Sequence, residues 1–207
     1  MTLTRIGFAF GFVVLLAATA TGGEIHCGGV DCRDLRIRCR GAEPCYVSII
    51  GETIRGPYYA AVTHKPPGEG PVEVVTLDRI VNVSVRTGPG DDGVGFNESI
   101  IEGDLRISTG RGNDFVSTQD WGVGGHARID TGAGDDTIFF DGPGIHGPFL
   151  VMTGDGDDSV RMGLDASVVS DDDKLFDGGT GKDTLGLTLT PPLNPATIKR
   201  FETVGPY

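Results

Sequence analysis

One six-residue phrase recurs along this chain at a constant interval. Its first four copies, TGPGDD, TGRGND, TGAGDD and TGDGDD, begin at Thr87, Thr109, Thr131 and Thr153, so the period is 22 residues each time. A fifth copy, GGTGKD, begins at Gly178 after 25 residues, and an acidic insertion at 171–173 explains the longer interval. A fixed period of this length demands one structural unit per copy and is typical of solenoids.

The segments that flank each phrase alternate between apolar and other residues. Around the third copy, Ala127 and Ile129 precede the phrase, and Ile138 and Phe140 follow it. Alternation with a period of two indicates β-strands with one buried face. A helix is disfavoured because a glycine in its interior costs about 1 kcal/mol. The repeat therefore predicts an all-β fold, a right-handed parallel β-helix or β-roll solenoid with one phrase in each coil.

Stacking of the coils would place equivalent acidic residues above one another. Successive strands lie about 4.8 Å apart, and two unit charges at that distance repel by about 3.5 kcal/mol at an effective dielectric near ~20. The sequence therefore predicts cations among the turns. The candidate metal ligands are Asp92, Asp114, Asp136, Asp158 and Asp183, with Asp91, Asn113, Asp135 and Asp157 beside them.

Calcium is the cation that these residue types favour. Carboxylates and backbone carbonyls are hard oxygen ligands, which suit Ca²⁺, and no Cys or His recurs with the period. Glycines let a turn bring its carbonyl oxygens close to an ion. The candidate carbonyls are those of Gly88, Gly90, Gly110, Gly112, Gly132, Gly134, Gly154, Gly156, Gly179 and Gly181. The alternative is a metal-free ladder, in which each Asp only bonds backbone amides of its turn.

At these residues the chain resembles the RTX family, whose calcium-binding nonapeptide is GGxGxDxUx, with U a large aliphatic residue. The string GGTGKDTLG, from Gly178 to Gly186, matches it in full, and the other copies have Thr in place of the first glycine. The resemblance covers about residues 87–187 and implies Ca²⁺ between stacked turns, held by the Asp at position six and by turn carbonyls. Lys182 departs from the Asp or Asn of the other turns, which weakens the last site.

The spacing of the phrases differs from that of the RTX roll. In that family the nonapeptides follow one another in tandem, so that calcium lines both edges of the roll. Here only one copy falls in each 22-residue coil. We therefore expect a single metal-bearing edge and a rounder coil with an extra strand.

The beginning of the chain has the pattern of a signal peptide. Arg5 supplies a positive charge, residues 6–18 are apolar, and Ala18 and Ala20 provide a cleavage site between small residues. This apolar run is shorter than the about 20 residues that span a membrane. We expect a secreted chain, extracellular or periplasmic, that is cleaved near Ala20 and has no membrane span in its mature form.

Four cysteines lie close together after this segment. They are Cys27, Cys32, Cys39 and Cys45. In an exported chain an even, clustered set indicates two disulfides, and the spacing fits no common zinc site. The pairing stays open. We expect a disulfide-bonded cap at the N-terminal end of the solenoid, where an unpaired strand edge would invite aggregation.

Charge divides the chain at residue 87. Residues 1–86 contain 9 Lys and Arg against 8 Asp and Glu, whereas the remainder contains 8 against 21. So acidic a surface excludes nucleic acid as a partner and favours cations. The expected segments are a signal peptide at 1–20, a disulfide-containing cap with degenerate coils at 21–86, calcium-binding coils at 87–189 and a C-terminal capping segment at 190–207.

Two stretches before the repeats have the character of degenerate coils. Residues 35–47 alternate like a later coil but lack the acidic turn, and 54–71 end in a turn rich in Pro and Gly. Counting from residue 35 gives about seven coils. Arg36, Arg38 and Arg40 would share one outward face. Such a row is commonly only solvated, and a site for an anionic ligand is the alternative.

No group of catalytic residues stands apart from the repeats, so we expect no enzyme. A glycoside hydrolase needs two carboxylates across a cleft, whereas nearly all of the Asp residues fall in the repeated turns. We expect a secreted calcium-binding solenoid that acts as a structural or adhesive surface component, with an extracellular polysaccharide or a cell surface as partner. The alternative is a small β-helix polysaccharide lyase or hydrolase with structural calcium. Asp120 and Trp121 are its candidate sugar contacts.

Overall fold

The computed structural model describes most of the chain as strands and turns. The described residues are 23–28, 33–51, 57–63, 73–77, 79–141, 144–163, 167–168, 174–187 and 198–206. Within these ranges there is no helix, and so none that is long and apolar enough to cross a membrane. The all-β prediction is confirmed. The expected signal peptide and the acidic insertion at 171–173 lie outside the described residues.

The strands form three sheets. Sheet 1 contains β1 (Gly23–Gly28), β2 (Asp34–Cys39), β6 (Asn82–Arg86), β9 (Leu105–Arg111), β12 (Ala127–Ala133), β15 (Phe149–Asp155), β18 (Lys174–Asp177) and β20 (Ile198–Lys199). Sheet 2 contains β3 (Tyr46–Gly51), β4 (Tyr58–Thr63), β5 (Glu73–Leu77), β7 (Gly93–Asn97), β10 (Phe115–Gln119), β13 (Thr137–Asp141), β16 (Ser159–Met162), β19 (Thr184–Leu187) and β21 (Thr203–Gly205). Sheet 3 contains β8 (Ile100–Ile101), β11 (Gly122–Val123), β14 (Gly144–Ile145) and β17 (Ser167–Val168).

Each of the first four repeats forms one coil that contributes a strand to every sheet in turn. Ile129 of β12 pairs in parallel with Ile107 of β9 and Val151 of β15, so the register places residues that are 22 apart side by side. Ile138 of β13 lies in the same way between Val116 and Val160. The parallel solenoid is confirmed, and the short strands of sheet 3 are the extra strand expected for a rounder coil.

About five regular turns connect β6 to β20. The chain before them is built differently, because β4 pairs antiparallel with β3, and β5 pairs antiparallel with β4. The prediction that 54–71 form a coil is therefore wrong: its described part, from residue 57 to 63, extends the edge of sheet 2. Antiparallel strands need only a short connection, whereas a parallel return needs a whole coil. The solenoid therefore has about five turns, fewer than the about seven coils expected from the sequence.

The core is a continuous file of apolar side chains inside the coils. The aliphatic residue that follows each acidic turn is almost completely buried; these residues are Val94, Val116, Ile138, Val160 and Leu185. An aromatic file runs beside them, with ring centroids 5.8 Å apart for Trp121 and Phe140, 5.3 Å for Phe140 and Phe149, and 5.5 Å for Phe149 and Phe176. Burial of each such side chain stabilises the fold by about 1.5–3 kcal/mol.

The N-terminal end is closed as the cysteines predicted. Strand β1 pairs antiparallel with β2 and covers the edge of sheet 1. A disulfide between Cys39 and Cys45 joins the end of β2 to the start of β3, across the corner of the first layer. Cys27 is also disulfide-bonded, and Cys32 lies outside the described residues. At the other end, β20 and β21 are the last strands of sheets 1 and 2.

Candidate functional site

The repeated phrase forms the corner between sheet 1 and sheet 2. In the coil of β12 and β13, Gly132 has φ +105° and Gly134 has φ +134°, a region that side chains rarely allow. A Cβ at Gly132 would lie only 2.0 Å from the carbonyl oxygen of Gly110 in the coil before it. Glycine is therefore required at position 132, because φ is positive there and because a side chain would clash with the neighbouring coil. These carbonyl oxygens point along the stack toward the next turn.

The predicted acidic column lies inside this corner. The last Asp of each phrase is at most 2 % exposed; these residues are Asp92, Asp114, Asp136, Asp158 and Asp183. The Oδ1 atom of Asp136 accepts a hydrogen bond of 2.8 Å from the backbone N–H of Asp114, and the N–H of Asp136 donates in turn to Asp158 Oδ1 at 2.8 Å. The same bond joins the other neighbours, at 2.8 Å from Asp92 to Asp114 and 3.0 Å from Asp158 to Asp183. We call this column the inner ladder.

The residues just before these acids form a second, exposed column. Asn113 N–H donates to Asp91 Oδ1 at 2.8 Å, and Asp135 N–H donates to Asn113 Oδ1 at 2.9 Å. Asp157 and Lys182 continue it with N–H donors to Asp135 and Asp157, both at 2.9 Å. In this outer ladder each side chain bonds the coil that follows it, whereas in the inner ladder it bonds the coil that precedes it. The two ladders therefore tie neighbouring turns together in opposite directions.

Each end of the inner ladder has a residue that the sequence pattern did not reveal. At the N-terminal end the N–H of Cys45 donates to Asp92 Oδ1 at 2.7 Å, so Cys45 occupies the place of an acid in the first layer. At the C-terminal end the N–H of Asp183 donates to Glu202 Oε2 at 2.5 Å. The available signal for Glu202 is its place directly before β21, as Asp183 stands directly before β19.

The threonine that opens each of the first four phrases also bridges neighbouring coils. Thr109 Oγ1 donates to the carbonyl of Thr131 at 3.0 Å, and Thr131 Oγ1 donates to the carbonyl of Thr153 at 3.1 Å. Both side chains are completely buried. The position where the family nonapeptide has its first glycine thus carries a structural hydroxyl ladder in this chain. From the sequence alone, this threonine is visible only as a departure from the family nonapeptide.

The second carboxylate oxygen of the inner ladder is left without a partner. Among the described residues, no hydrogen bond reaches the buried Oδ2 atoms of Asp114, Asp136, Asp158 and Asp183. Leaving a buried polar atom unsatisfied costs about 1–3 kcal/mol, and more when the group is charged. The inner ladder therefore presents a file of buried oxygen atoms that no donor among the described residues satisfies.

This environment changes the acidity of the carboxyl groups. Burial, together with the carboxylates of Asp114 and Asp158, raises the pKa of Asp136 to about 7, although the Thr131 hydroxyl and the Asp114 N–H lower it. Burial likewise raises the pKa of Asp114 to about 6 and that of Asp158 to about 6. Burial also raises the pKa of Asp183. Near neutral pH the inner ladder therefore requires neutralisation, by protons or by cations.

The donor set fits a hard cation only if the backbone contributes. Among the residues that the structure describes, no three His, Cys, Asp or Glu side chains come together as a metal-holding group, because the acids form a file and not a cluster. Each gap between coils does offer oxygen atoms of hard character, from unpartnered Oδ2 atoms and from turn carbonyls. A flexible, oxygen-rich coordination of this kind is the one that Ca²⁺ accepts.

Comparison of the chain with models of known protein families, with curated proteins and with solved structures finds no match. The resemblance to the RTX nonapeptide therefore depends on the turn residues themselves. Asp120 and Trp121 were the predicted sugar contacts of the enzyme alternative. For Trp121 the prediction is wrong. Its side chain is 2 % exposed and stacks on Phe140 in the core.

Proposed function

We propose that this chain is a secreted calcium-binding β-solenoid, in which Ca²⁺ neutralises the acidic corner between stacked turns. The observation that carries the proposal is the file of buried Oδ2 atoms without a partner in the inner ladder. Because four successive layers each contain such an atom, the free-energy cost of an unsatisfied buried oxygen occurs in each of them. A bound cation would remove that cost in each layer.

The ligands of such an ion would come from two successive turns. Asp114 and Asp136 represent the inner carboxylates, Asp135 the outer one, and Gly110 and Gly132 the turn carbonyls. All of these are hard oxygen donors. Ca²⁺ accepts six to eight oxygens in flexible geometry, whereas Mg²⁺ requires a compact octahedron and keeps several waters. The oxygen atoms of this corner belong to a fixed backbone and to buried carboxylates, which are not arranged as a compact octahedron. We therefore expect the corner to bind Ca²⁺ in preference to Mg²⁺.

Protons are the competitors for this role. Below about pH 6 the raised pKa values let protons neutralise the inner ladder, and the turns then need no metal. Above about pH 7 the carboxylates ionise and a cation has to take over. The metal-free ladder and the calcium-bound turn are thus two states of one structure, selected by pH and calcium.

The surface role follows from the architecture. A stack of similar coils presents extended flat faces, which suits a structural or adhesive component outside the cell. The enzyme alternative is not favoured, since its candidate aromatic contact, Trp121, lies in the core.

A calcium titration at pH 8 tests the proposal. We expect isothermal titration calorimetry to show Ca²⁺ binding and only weak Mg²⁺ binding. Saturation at about 100-fold above Kd would stabilise the protein by about 2.7 kcal/mol per site, which raises Tm by roughly 5–10 °C. At pH 5 the same titration should give little heat, because the inner ladder is then protonated. A melting curve at pH 8 that is identical in calcium and in EGTA would refute the proposal.

A further inference from the structure

The outer face of sheet 1 carries arginines in two neighbouring rows. The first row runs from Arg36 on β2 across Ser84 of β6 to Arg106 of β9 and Arg128 of β12. The second row, two residues further along the strands, pairs Arg38 with Arg86. We call Arg36, Arg38, Arg86, Arg106 and Arg128 the arginine face. It includes strands from four successive layers.

Most of these arginines have no partner among the residues that the structure describes. Arg36, Arg38, Arg86 and Arg106 are exposed, and none of them forms an ion pair or a hydrogen bond with another described residue. Arg128 alone is paired, with Asp130 at 3.1 Å. In a chain with a net charge of −12 and 29 acidic residues, this surface groups four arginines that pair with no described residue. Its charge is complementary to an anionic partner.

The arginine face is also concave. A cavity of about 580 Å³ is lined by Arg36, Arg38 and Arg86 together with residues of β1. A second cavity of about 280 Å³ shares Arg36 with the first and continues it to Arg106. The two form one shallow groove across β1, β2, β6 and β9. A partner that lies in it would run along the stacking direction of the coils.

The acids in this groove are already engaged. Glu24 Oε2 lies 3.4 Å from His26 Nε2 and 3.3 Å from Arg40, and Asp34 Oδ1 accepts a hydrogen bond of 2.8 Å from Asn82. Asp104 Oδ1 accepts a hydrogen bond of 2.9 Å from the N–H of His126. Four guanidinium groups line the groove beside these three acids, and none of the four is bonded to them. Guanidinium binds carboxylate, sulfate and phosphate groups through paired hydrogen bonds.

We propose that the arginine face binds an extended acidic polysaccharide, whose sulfate or carboxylate groups pair with arginines of successive coils. Neighbouring strands lie about 4.8 Å apart, so Arg38 and Arg86 are one spacing apart, and Arg36 and Arg106 are two. A linear polymer with regularly spaced anions matches such rows. The aliphatic residues that line the groove, Leu35, Ile37 and Val83, are almost completely buried, so they offer little apolar anchor to a protein partner.

This partner adds to the proposed surface role but does not depend on calcium in the turns. The arginine face and the acidic corner consist of different residues on different parts of each coil. Failure of one proposal therefore leaves the other standing. Calcium binding measured on the same variants separates the two.

The test is polysaccharide binding by the protein at pH 7.5 in calcium-containing buffer. The probes are dextran sulfate, which carries only sulfate groups, hyaluronate, which carries only carboxylates, neutral dextran and double-stranded DNA. The test variants are the double substitutions R36Q/R106Q and R38Q/R86Q. The control is R161Q, which removes an equally exposed arginine from β16 on the other main sheet. Circular dichroism verifies that each variant is folded.

We expect dextran sulfate or hyaluronate to bind with an affinity that falls as salt rises, and neutral dextran not to bind. Each double variant should weaken binding at least tenfold, because it removes two guanidinium groups that would form charge-assisted hydrogen bonds with the polymer. R161Q should bind as the unsubstituted protein does, and calcium titration should be unchanged in all variants. Equal binding by the double variants and R161Q, absence of binding to both acidic polymers, or tighter binding of DNA would each overturn the proposal.

Discussion

The two oxygens of the Asp136 carboxyl group have opposite environments. Its Oδ1 atom accepts a backbone hydrogen bond from the preceding coil, whereas its Oδ2 atom is buried without a donor. Burial and the carboxylates above and below therefore hold its pKa at about 7. One oxygen makes the residue structural, and the other makes it sensitive to pH and to cations.

Substitution of Asp136 by Asn separates these two parts. The amide keeps an oxygen for the backbone hydrogen bond but removes the charge. We expect Asp136→Asn to stabilise the calcium-free protein at pH 8 by about 1–3 kcal/mol, since a buried unpaired charge disappears. We expect its calcium affinity to fall at least tenfold. Guanidinium unfolding in EGTA and calorimetry with Ca²⁺ measure the two effects.

The matched control is Asp130→Asn in the same coil. Asp130 is a partly exposed residue whose ion pair with Arg128 lies on the outer surface of sheet 1. Loss of such a pair costs at most about 1 kcal/mol. Calcium affinity should not change. If Asp136→Asn behaves as this control does, the inner ladder does not bind calcium.

The raised pKa values also predict a pH dependence for the calcium-free protein. The folded values of about 6 for Asp114 and Asp158 and about 7 for Asp136 exceed the ordinary value of 3.8. Between about pH 4 and pH 7 the folded state therefore binds more protons than the unfolded state, and stability falls as pH rises. We expect a loss of several kcal/mol over this range, measured by chemical unfolding in EGTA.

Calcium should reverse that trend. Ions bound to the carboxylates replace the protons, so the calcium-saturated protein should lose stability on acidification instead. Unfolding curves at pH 5 and pH 8, with and without calcium, distinguish the two slopes. A calcium-free protein that becomes more stable from pH 4 to pH 7 would contradict the account of the inner ladder.

The turn between sheets 1 and 2 is the element that makes the stacking possible. Gly132 shows why, because its φ of +105° and its contact with the Gly110 carbonyl both exclude a side chain. Every turn of the stack repeats this pair of constraints, from Gly110 to Gly181. The element therefore tolerates variation at its third position, which is Pro, Arg, Ala, Asp or Thr, but not at its second and fourth.

Substitution of Gly132 by Ala tests this element. Positive φ at a non-glycine residue costs about 1–3 kcal/mol, and the overlap with Gly110 adds to it. We expect Gly132→Ala to lower the free energy of unfolding by more than 3 kcal/mol. Gly41→Ala, where φ is +109° but no atom lies within 4 Å, isolates the cost of the backbone conformation.

Gly205→Ala supplies the neutral reference, since φ is ordinary there and no atom lies within 4 Å. Chemical unfolding of the three variants should rank them with Gly132 most damaging, Gly41 intermediate and Gly205 least. A Gly132→Ala variant as stable as Gly205→Ala would show that the coils are not stacked as described.

At the scale of the whole molecule, similar coils are bonded mainly to their nearest neighbours. Each hydrogen bond of the inner, outer and threonine ladders joins one coil to its nearest neighbour. The stabilising interactions are therefore distributed along the stack, and its two ends are the places where a coil lacks a neighbour on one side. The N-terminal end is closed by β1 and by the disulfide of Cys39 and Cys45. The C-terminal end is closed by β21 and by Glu202, which completes the inner ladder.

The repeated part of this molecule was predictable from sequence because its signals recur. Alternation around the phrase identified the buried Ile129 and Ile138, and the fixed period implied that equivalent Asp residues stack. Because each feature recurs several times, its prediction did not depend on any single residue. The parallel solenoid and its acidic column follow from that repetition.

Features that occur only once were not predictable in the same way. Trp121 lies between β10 and β11, where strand alternation gives no information, and it fills the core at a place taken by the small Ser99 in the preceding coil. Strand β4 pairs antiparallel with the edge strand β3, and β5 pairs antiparallel with β4. No repeated sequence pattern indicates this pairing. Direction of the hydrogen bonds in the two ladders depends on side-chain rotamers, which a sequence pattern does not encode.

A crystal structure of the protein grown in calcium at pH 8, with an anomalous difference map, tests the central claim most directly. The account predicts peaks in a file along the corner between sheets 1 and 2, each about 2.3–2.6 Å from inner-ladder carboxylate oxygens of neighbouring coils. A map from calcium-saturated crystals without peaks at that corner, with the ladders otherwise intact, would contradict it.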